Sequence, residues 1–201
     1  MTWSRPPRTL NVLIYTVNVY SVDPSPFRFE DPVLELRAKA VLRKLPLVWG
    51  APIRVQVARG LRDARGPVHA GAFLRERRIA FNCTGKEFPR IFAHELAHFV
   101  WLRLGNTARW SWEKMLRAEL RRGANGELGW SAEWRKKKLR PAQIRSRARP
   151  WREYCCESFC DTAACLYSGV KGHPEFTLAG KYRRSRRQWF GENVATRRLS
   201  I

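Results

Sequence analysis

Acidic residues are scarce in this 201-residue chain: 17 Asp and Glu stand against 39 Lys and Arg, and Asp occurs only at positions 23, 31, 63 and 161. The formal net charge of +22 creates a field that draws polyanions, whether nucleic acid, anionic lipid or acidic protein. Long apolar runs are missing too. None approaches the ~18 residues needed to cross a bilayer, so no transmembrane segment is expected. The N-terminal stretch lacks the small-residue cleavage site of a secretory leader. Its apolar part, Leu10 to Tyr20, alternates like a strand and contains Asn11 and Asn18, and a cytoplasmic location follows as the expectation. Cysteine is sparse and odd in number, five in all, with no Cys-x-x-Cys pair. That argues against a secreted disulfide framework. Cys155, Cys156, Cys160 and Cys165 crowd one segment and are read as small buried side chains in preference to a thiolate metal site.

What the chain does have is core material. Its composition is 44% hydrophobic and 12% aromatic, with nine Trp, which excludes wholesale disorder and suits a single domain over 1–201. Residues 8–20 read as a strand, β-branched and roughly alternating. Asp31-Pro32 places an N-cap before a first-turn proline and opens a helix over 32–45. A second strand falls at 52–58, and 68–75 with 78–83 form a hairpin turning near Arg75 to Arg77. Helices follow at about 89–104, 108–122, 131–139 and 151–168, with Gly105, Gly123 and Gly169 as stops. The segment 170–201 shows no clear period and reads as a loose basic tail. Strands gather early and helices late, which predicts an α+β fold.

The helix at 89–104 carries His94-Glu95-Leu96-Ala97-His98, the H-E-x-x-H pattern. Positions i and i+4 share a helical face, so both imidazoles can reach one cation, with Glu95 between them as general base. Apolar residues surround the motif on every side: Ile91, Phe92, Ala93, Leu96, Ala97, Phe99, Val100 and Trp101. A helix apolar all round is a buried one. Three ionisable groups in its middle would be costly unless paired or metal-bound. Zinc is the expected cofactor, and a catalytic zinc wants three protein ligands. Glu153, Glu157 and Asp161 lie at four-residue spacing on the later helix. Glu157 is favoured as third ligand and Asp161 as the carboxylate that orients a ligand imidazole. Glu153 and His173 stay open as alternatives. His69 reads as a surface or strand residue, and Tyr154, Tyr167 and His173 are candidate oxyanion donors.

These motifs resemble the gluzincin metallopeptidases, which pair an H-E-x-x-H helix with a later Glu-x-x-x-Asp; here it is Glu157 to Asp161. Residues 71–98 and 157–164 are similar to the compact ImmA/IrrE-type members, although Asp161 stands where Asn is common. The resemblance implies a small zincin-like domain: a mixed twisted sheet of about 3–5 strands from the N-terminal half, packed on the metal-site helix and the later Glu-bearing helix. It implies a peptide or protein substrate added as a strand to a sheet edge beside the metal helix. The strand at 69–75 is the candidate edge, with Gly71 and Ala72 small enough for close backbone approach and Phe73 placed for a side-chain pocket. The chain departs from that group in spacing, since 59 positions separate His98 from Glu157.

The extra length, 106–150, forms a basic, Trp-rich insert. Residues 101–152 hold 15 basic and four acidic side chains and six Trp. The stretch Arg135 to Arg152 is a candidate site for nucleic acid or another polyanion, since cations neutralise phosphates and aromatic faces stack on bases. The expected function is thus a zinc metalloendopeptidase. The competing expectations are a nucleic-acid-binding protein with structural metal or lost activity, and a DNA-recruited protease resembling the SprT-like group.

Overall fold

A computed structural model describes residues 25–63, 66–82 and 85–201; the strand expected at 8–20 lies outside them. The fold is α+β with a mixed sheet of four strands. In chain order the strands are β1 (Phe27–Phe29), β2 (Val48–Trp49), β3 (Ile53–Val57), β4 (Arg62–Asp63), β5 (Gly66–Pro67), β6 (Ala70–Phe73), β7 (Arg78–Phe81) and β8 (Leu199–Ser200). The helices are α1 (Pro32–Leu42), α2 (Phe88–Arg103), α3 (Asn106–Arg121), α4 (Trp130–Lys137), α5 (Pro141–Arg145), α6 (Arg149–Tyr167) and α7 (Gly180–Phe190). Among these residues, no helix is long and apolar enough to cross a membrane.

The main sheet runs β1-β3-β7-β6, parallel except for β6, which is antiparallel to β7. The central strand β7 buries Ile79, Ala80 and Phe81 in succession, as a strand covered on both faces must. On β3 the burial alternates instead, with Ile53 and Val55 inside. The β6–β7 hairpin closes through Arg77, whose φ of 48° is left-handed. Helix α1 starts where the sequence signals it: Asp31 accepts from Val33 N at 2.7 Å, and Pro32 opens the first turn. Helix α2 rests on the sheet through Phe88 and Phe92, which pack against Phe81 and Phe27. Its most extensive partner is α6, so the two helices that carry the chemistry lie side by side.

The C-terminal segment is the main departure from the sequence expectation. Residues 170–201 are not a loose tail. Helix α7 buries Tyr182, Arg186, Trp189 and Phe190, a spacing of i, i+4, i+7 and i+8 in which an arginine occupies a core position. The chain then pairs β8 with β2, with Leu199 N on Leu47 O at 2.8 Å and Ile201 N on Trp49 O at 2.9 Å. Arg186 is buried because Glu119 and Glu127, themselves buried, receive its guanidinium at 2.7 and 2.6 Å.

Candidate metal centre

The face that α2 turns toward α6 carries His94 and His98, and their Nε2 atoms lie 3.3 Å apart. Each ring is tethered at its other nitrogen by α6. His94 Nδ1 sits 2.8 Å from Asp161 Oδ1, and His98 Nδ1 sits 3.5 Å from Cys156 Sγ. With both Nδ1 atoms engaged, both Nε2 atoms are left to converge on one point. A cation held tetrahedrally by two nitrogens at about 2.0–2.1 Å needs them about 3.3–3.4 Å apart. Glu157 Oε2 lies 3.4 Å from His94 Nε2. The spacing of the two imidazoles therefore fits a metal ion. Among the described residues, the ligand atoms of His94, His98 and Cys160 also lie within 4.8 Å of one another, a group that could hold a metal.

The electrostatics favour positive charge at this point. Burial works against charging His94, but Asp161, Glu157 and Glu95 outweigh it and raise the imidazole well above its usual value. His98 is likewise opposed by burial, yet Cys156 and Glu157 push it up to about 9. The Glu157 carboxyl is depressed despite burial, by His94, His98 and Arg135. The hydrogen bond with Cys160 and the neighbouring His98 draw Cys156 down to about 6 against burial, whereas burial pushes Cys160 well up. A divalent cation at the Nε2 atoms would satisfy the same carboxylates that otherwise hold imidazolium protons.

The site opens into a cleft of about 660 Å³ lined by His94, Glu95, His98, Glu157 and Asp161 on one side and by Gly71, Ala72 and Phe73 on another. All eight residues singled out in the sequence for ligation, proton transfer and substrate binding thus share one cavity. Strand β6 is an edge of the sheet among the described residues, with β7 as its neighbour. A Cβ at Gly71 would meet only the Phe73 ring, at 3.5 Å, so the strand itself does not demand glycine there.

The remaining candidates fall elsewhere. Glu153 is paired with Arg149 at 2.7 Å on the surface. His173 Nε2 pairs with Glu87 at 3.1 Å, and its Nδ1 accepts from Glu175 N. Tyr154 is fully buried and donates to Glu127 at 2.6 Å, while Tyr167 packs on Phe190. None of these four lines the cleft. His69, read as a surface or strand residue, is exposed and does line it.

Helix α4 forms the other wall, and the sequence reading gave it no part in the site. Ser131 Oγ donates to Glu157 Oε2 at 2.7 Å, and Arg135 Nη2 reaches Glu157 Oε1 at 2.9 Å. The amides at the start of α4 bind carboxylates: Trp130 N reaches Glu175 at 2.9 Å and Ala132 N reaches Asp161 Oδ2 at 2.9 Å. Orphan N-terminal amides and the helix dipole both favour anions there. Cys160, read in the sequence as a small buried side chain in preference to a thiolate metal site, stands beside the two histidines. The usable signal was its place between Glu157 and Asp161 on one turn of α6, three and four residues from Glu157 and Cys156. The basic run is also less exposed than its composition suggests, because Arg135 and Lys136 turn inward to Glu157 and Glu127.

No protein-family model, curated protein or solved structure matches the chain.

Proposed function

We propose that the chain is a zinc-dependent metallopeptidase of the gluzincin type, with His94, His98 and Glu157 as metal ligands. The observation that carries this reading is the convergence of two Nε2 atoms 3.3 Å apart, beside a buried Glu95, in a cleft that also exposes a sheet edge. The likeness of residues 71–98 and 157–164 to ImmA/IrrE-type enzymes supports it. When bound, zinc supplies Lewis-acid polarisation of a water and of the scissile carbonyl. Asp161 keeps His94 in one tautomer by holding Nδ1–H, so Nε2 stays free for ligation. Ser131 and Arg135 fix both oxygens of Glu157. Glu95 accepts the proton of the attacking water and passes it to the leaving amine. The open edge of β6 pairs with the substrate backbone, Gly71 and Ala72 allow its approach, and Phe73 meets a side chain.

The test combines metal content with turnover. Wild type should carry one zinc per chain and cleave members of a proteome-derived peptide library. Glu95→Gln should keep zinc and lose about 10²–10⁴ in rate. Unchanged turnover in that variant would remove Glu95 from the mechanism.

A second reading rests on Cys160, whose thiol joins the two histidines within 4.8 Å. With Glu157 and Cys160 both bound the shell would be closed, and closed four-ligand zinc sites are structural. Glu157 lines the cleft, whereas Cys160 is fully buried, which favours Glu157 as the catalytic ligand. Wild-type inactivity across the library, with zinc retained, would favour the structural site and with it a binding protein.

A further inference from the structure

A second concavity, of about 370 Å³, lies on α3 and shares no residue with the metal cleft. Its lining is Trp110, Glu113, Lys114, Arg117, Arg121 and Arg147. Four of these residues, at positions 110, 114, 117 and 121, follow each other at i, i+4, i+7 and i+11 and so form one stripe down the helix. Trp110 is 56% exposed, an unusual position for so large an apolar ring. Arg147 places its guanidinium 5.9 Å from the Trp110 ring centre. Glu113, the one acid of the lining, holds that guanidinium in a two-pronged pair at 2.8 and 2.7 Å and also accepts from Trp151 Nε1. Its charge is therefore already matched within the fold. Lys114 and Arg121 are exposed, and no acidic partner faces either among the described residues. Four cations against one carboxylate, which Arg147 and, at 3.9 Å, Arg117 share, leave the concavity with a net charge of +3.

We propose that this face binds single-stranded nucleic acid, with an unpaired base stacked on Trp110 beside the fixed Arg147 and the phosphates following Lys114, Arg117 and Arg121. An exposed ring next to a positive track is the arrangement that grips a strand without reading its sequence. The concavity and the pinned guanidinium favour a flat, stackable ligand over an anionic lipid surface, which needs only a spread of mobile cations. The run Arg135 to Lys138 is the weaker candidate, since Arg135 and Lys136 are drawn inward by Glu157 and Glu127. This inference is independent of the metal reading.

The test is fluorescence anisotropy of full-length protein with a labelled oligothymidylate, a duplex of equal length, and phosphatidylserine vesicles as separate probes. Trp110→Ala should weaken binding of the single strand by roughly 5- to 150-fold, the range expected for one lost base stack. The double variant Lys114→Ala, Arg121→Ala should flatten the slope of log affinity against log salt by about 0.7 per side chain removed. Zinc content and thermal midpoint should be unchanged in both, which separates loss of binding from loss of fold. Wild-type affinity in Trp110→Ala, an unchanged slope in the double variant, or tighter binding to vesicles than to the single strand would each overturn the proposal. So would a larger effect from Lys137→Ser, Lys138→Ser, which leaves the buried Lys136 pair intact, than from the α3 variants.

Discussion

Gly129 stands at the start of α4 with an extended backbone, φ −179°, which any residue adopts, so alanine there meets no conformational penalty. What it lacks is space. A Cβ at Gly129 would lie 2.3 Å from both Cγ and Oδ1 of Asp161 and 2.6 Å from Oδ2. Ordinary contact begins near 3.4 Å, so either Asp161 or the first turn of α4 must shift by about 1 Å. Asp161 has little freedom to yield, being 3% exposed with one oxygen on His94 Nδ1 and the other on Ala132 N. Overpacking of this kind costs about 1–3 kcal/mol. Releasing His94 from Asp161 would add about 1.5–3 kcal/mol as a lost hydrogen bond to a charged group. The predicted outcome of Gly129→Ala is therefore a lower urea midpoint in the presence of chelator, and zinc affinity reduced by about 10–100-fold through the untethered imidazole. Gly172→Ala is the control, since a Cβ there meets nothing within 4 Å. Competition against a chromogenic chelator reads the affinity. If Gly129→Ala binds zinc like wild type and unfolds at the same urea concentration, Asp161 does not hold His94 as described and the site's construction has been misread.

Two further outcomes are expected. Cobalt substitution should distinguish the third ligand: Glu157→Ala should lose the metal, while Cys160→Ala should keep it, and a thiolate-to-cobalt absorption band in the wild type that vanishes in Cys160→Ala would assign the ligand to sulfur instead. The buried Glu127 carboxyl is opposed by burial but held below its usual value by Arg186 and Lys136. A depressed acid stabilises the fold above its unfolded value and loses that contribution as pH falls through the folded one. Wild type should thus lose stability more steeply than Glu127→Gln as pH falls below the ordinary glutamate value of about 4.3, measured by urea midpoints from neutral pH downward.

The elements with strong local signals were legible in the sequence. Asp31-Pro32 marked α1, the i,i+4 histidines in an apolar helix marked the face of α2 that meets α6, and Glu157 with Asp161 marked the facing side of α6. The hairpin ahead of α2 was legible because its turn and alternation are local. What was not legible depends on partners distant in sequence. Helix α7 hid its period because Arg186 fills a core position, and an arginine counts as core only once Glu119 and Glu127 are known to face it. Strand β8 is two residues long and is defined by pairing with β2 across 151 positions. Cys160 looked like core filler, and Ser131 and Arg135 looked like surface, because nothing local to α4 announces that its first turn packs on α6.

That packing also changes what the long separation between His98 and Glu157 means. Viewed along the chain, 106–150 is an insertion between two metal-site helices. Viewed in the fold, it supplies parts that neither helix has. Adjacent residues on α4 divide the labour: Arg135 and Ser131 hold Glu157 at the cleft, while Lys136 reaches the buried Glu127 at 3.2 Å. Helix α6 is two-sided in the same way. Glu157, Cys160 and Asp161 face α2, whereas Tyr154, Ser158 and Thr162, at i, i+4 and i+8, face the cluster of Glu127 and Arg186. The cluster balances Glu119 and Glu127 against Arg186 and Lys136, and removing one member of such a buried set typically costs about 3–5 kcal/mol. An ion-paired core of this sort adds little net stability over apolar packing. Its use here is positional: it pins α3, α4, α6 and α7 to one another, and so keeps the carboxylates of α6 at fixed distance from the imidazoles of α2. A candidate metal site whose donors must sit within a few tenths of an ångström depends on that support, which makes the basic segment part of the scaffold around the two histidines and not an appendage to it.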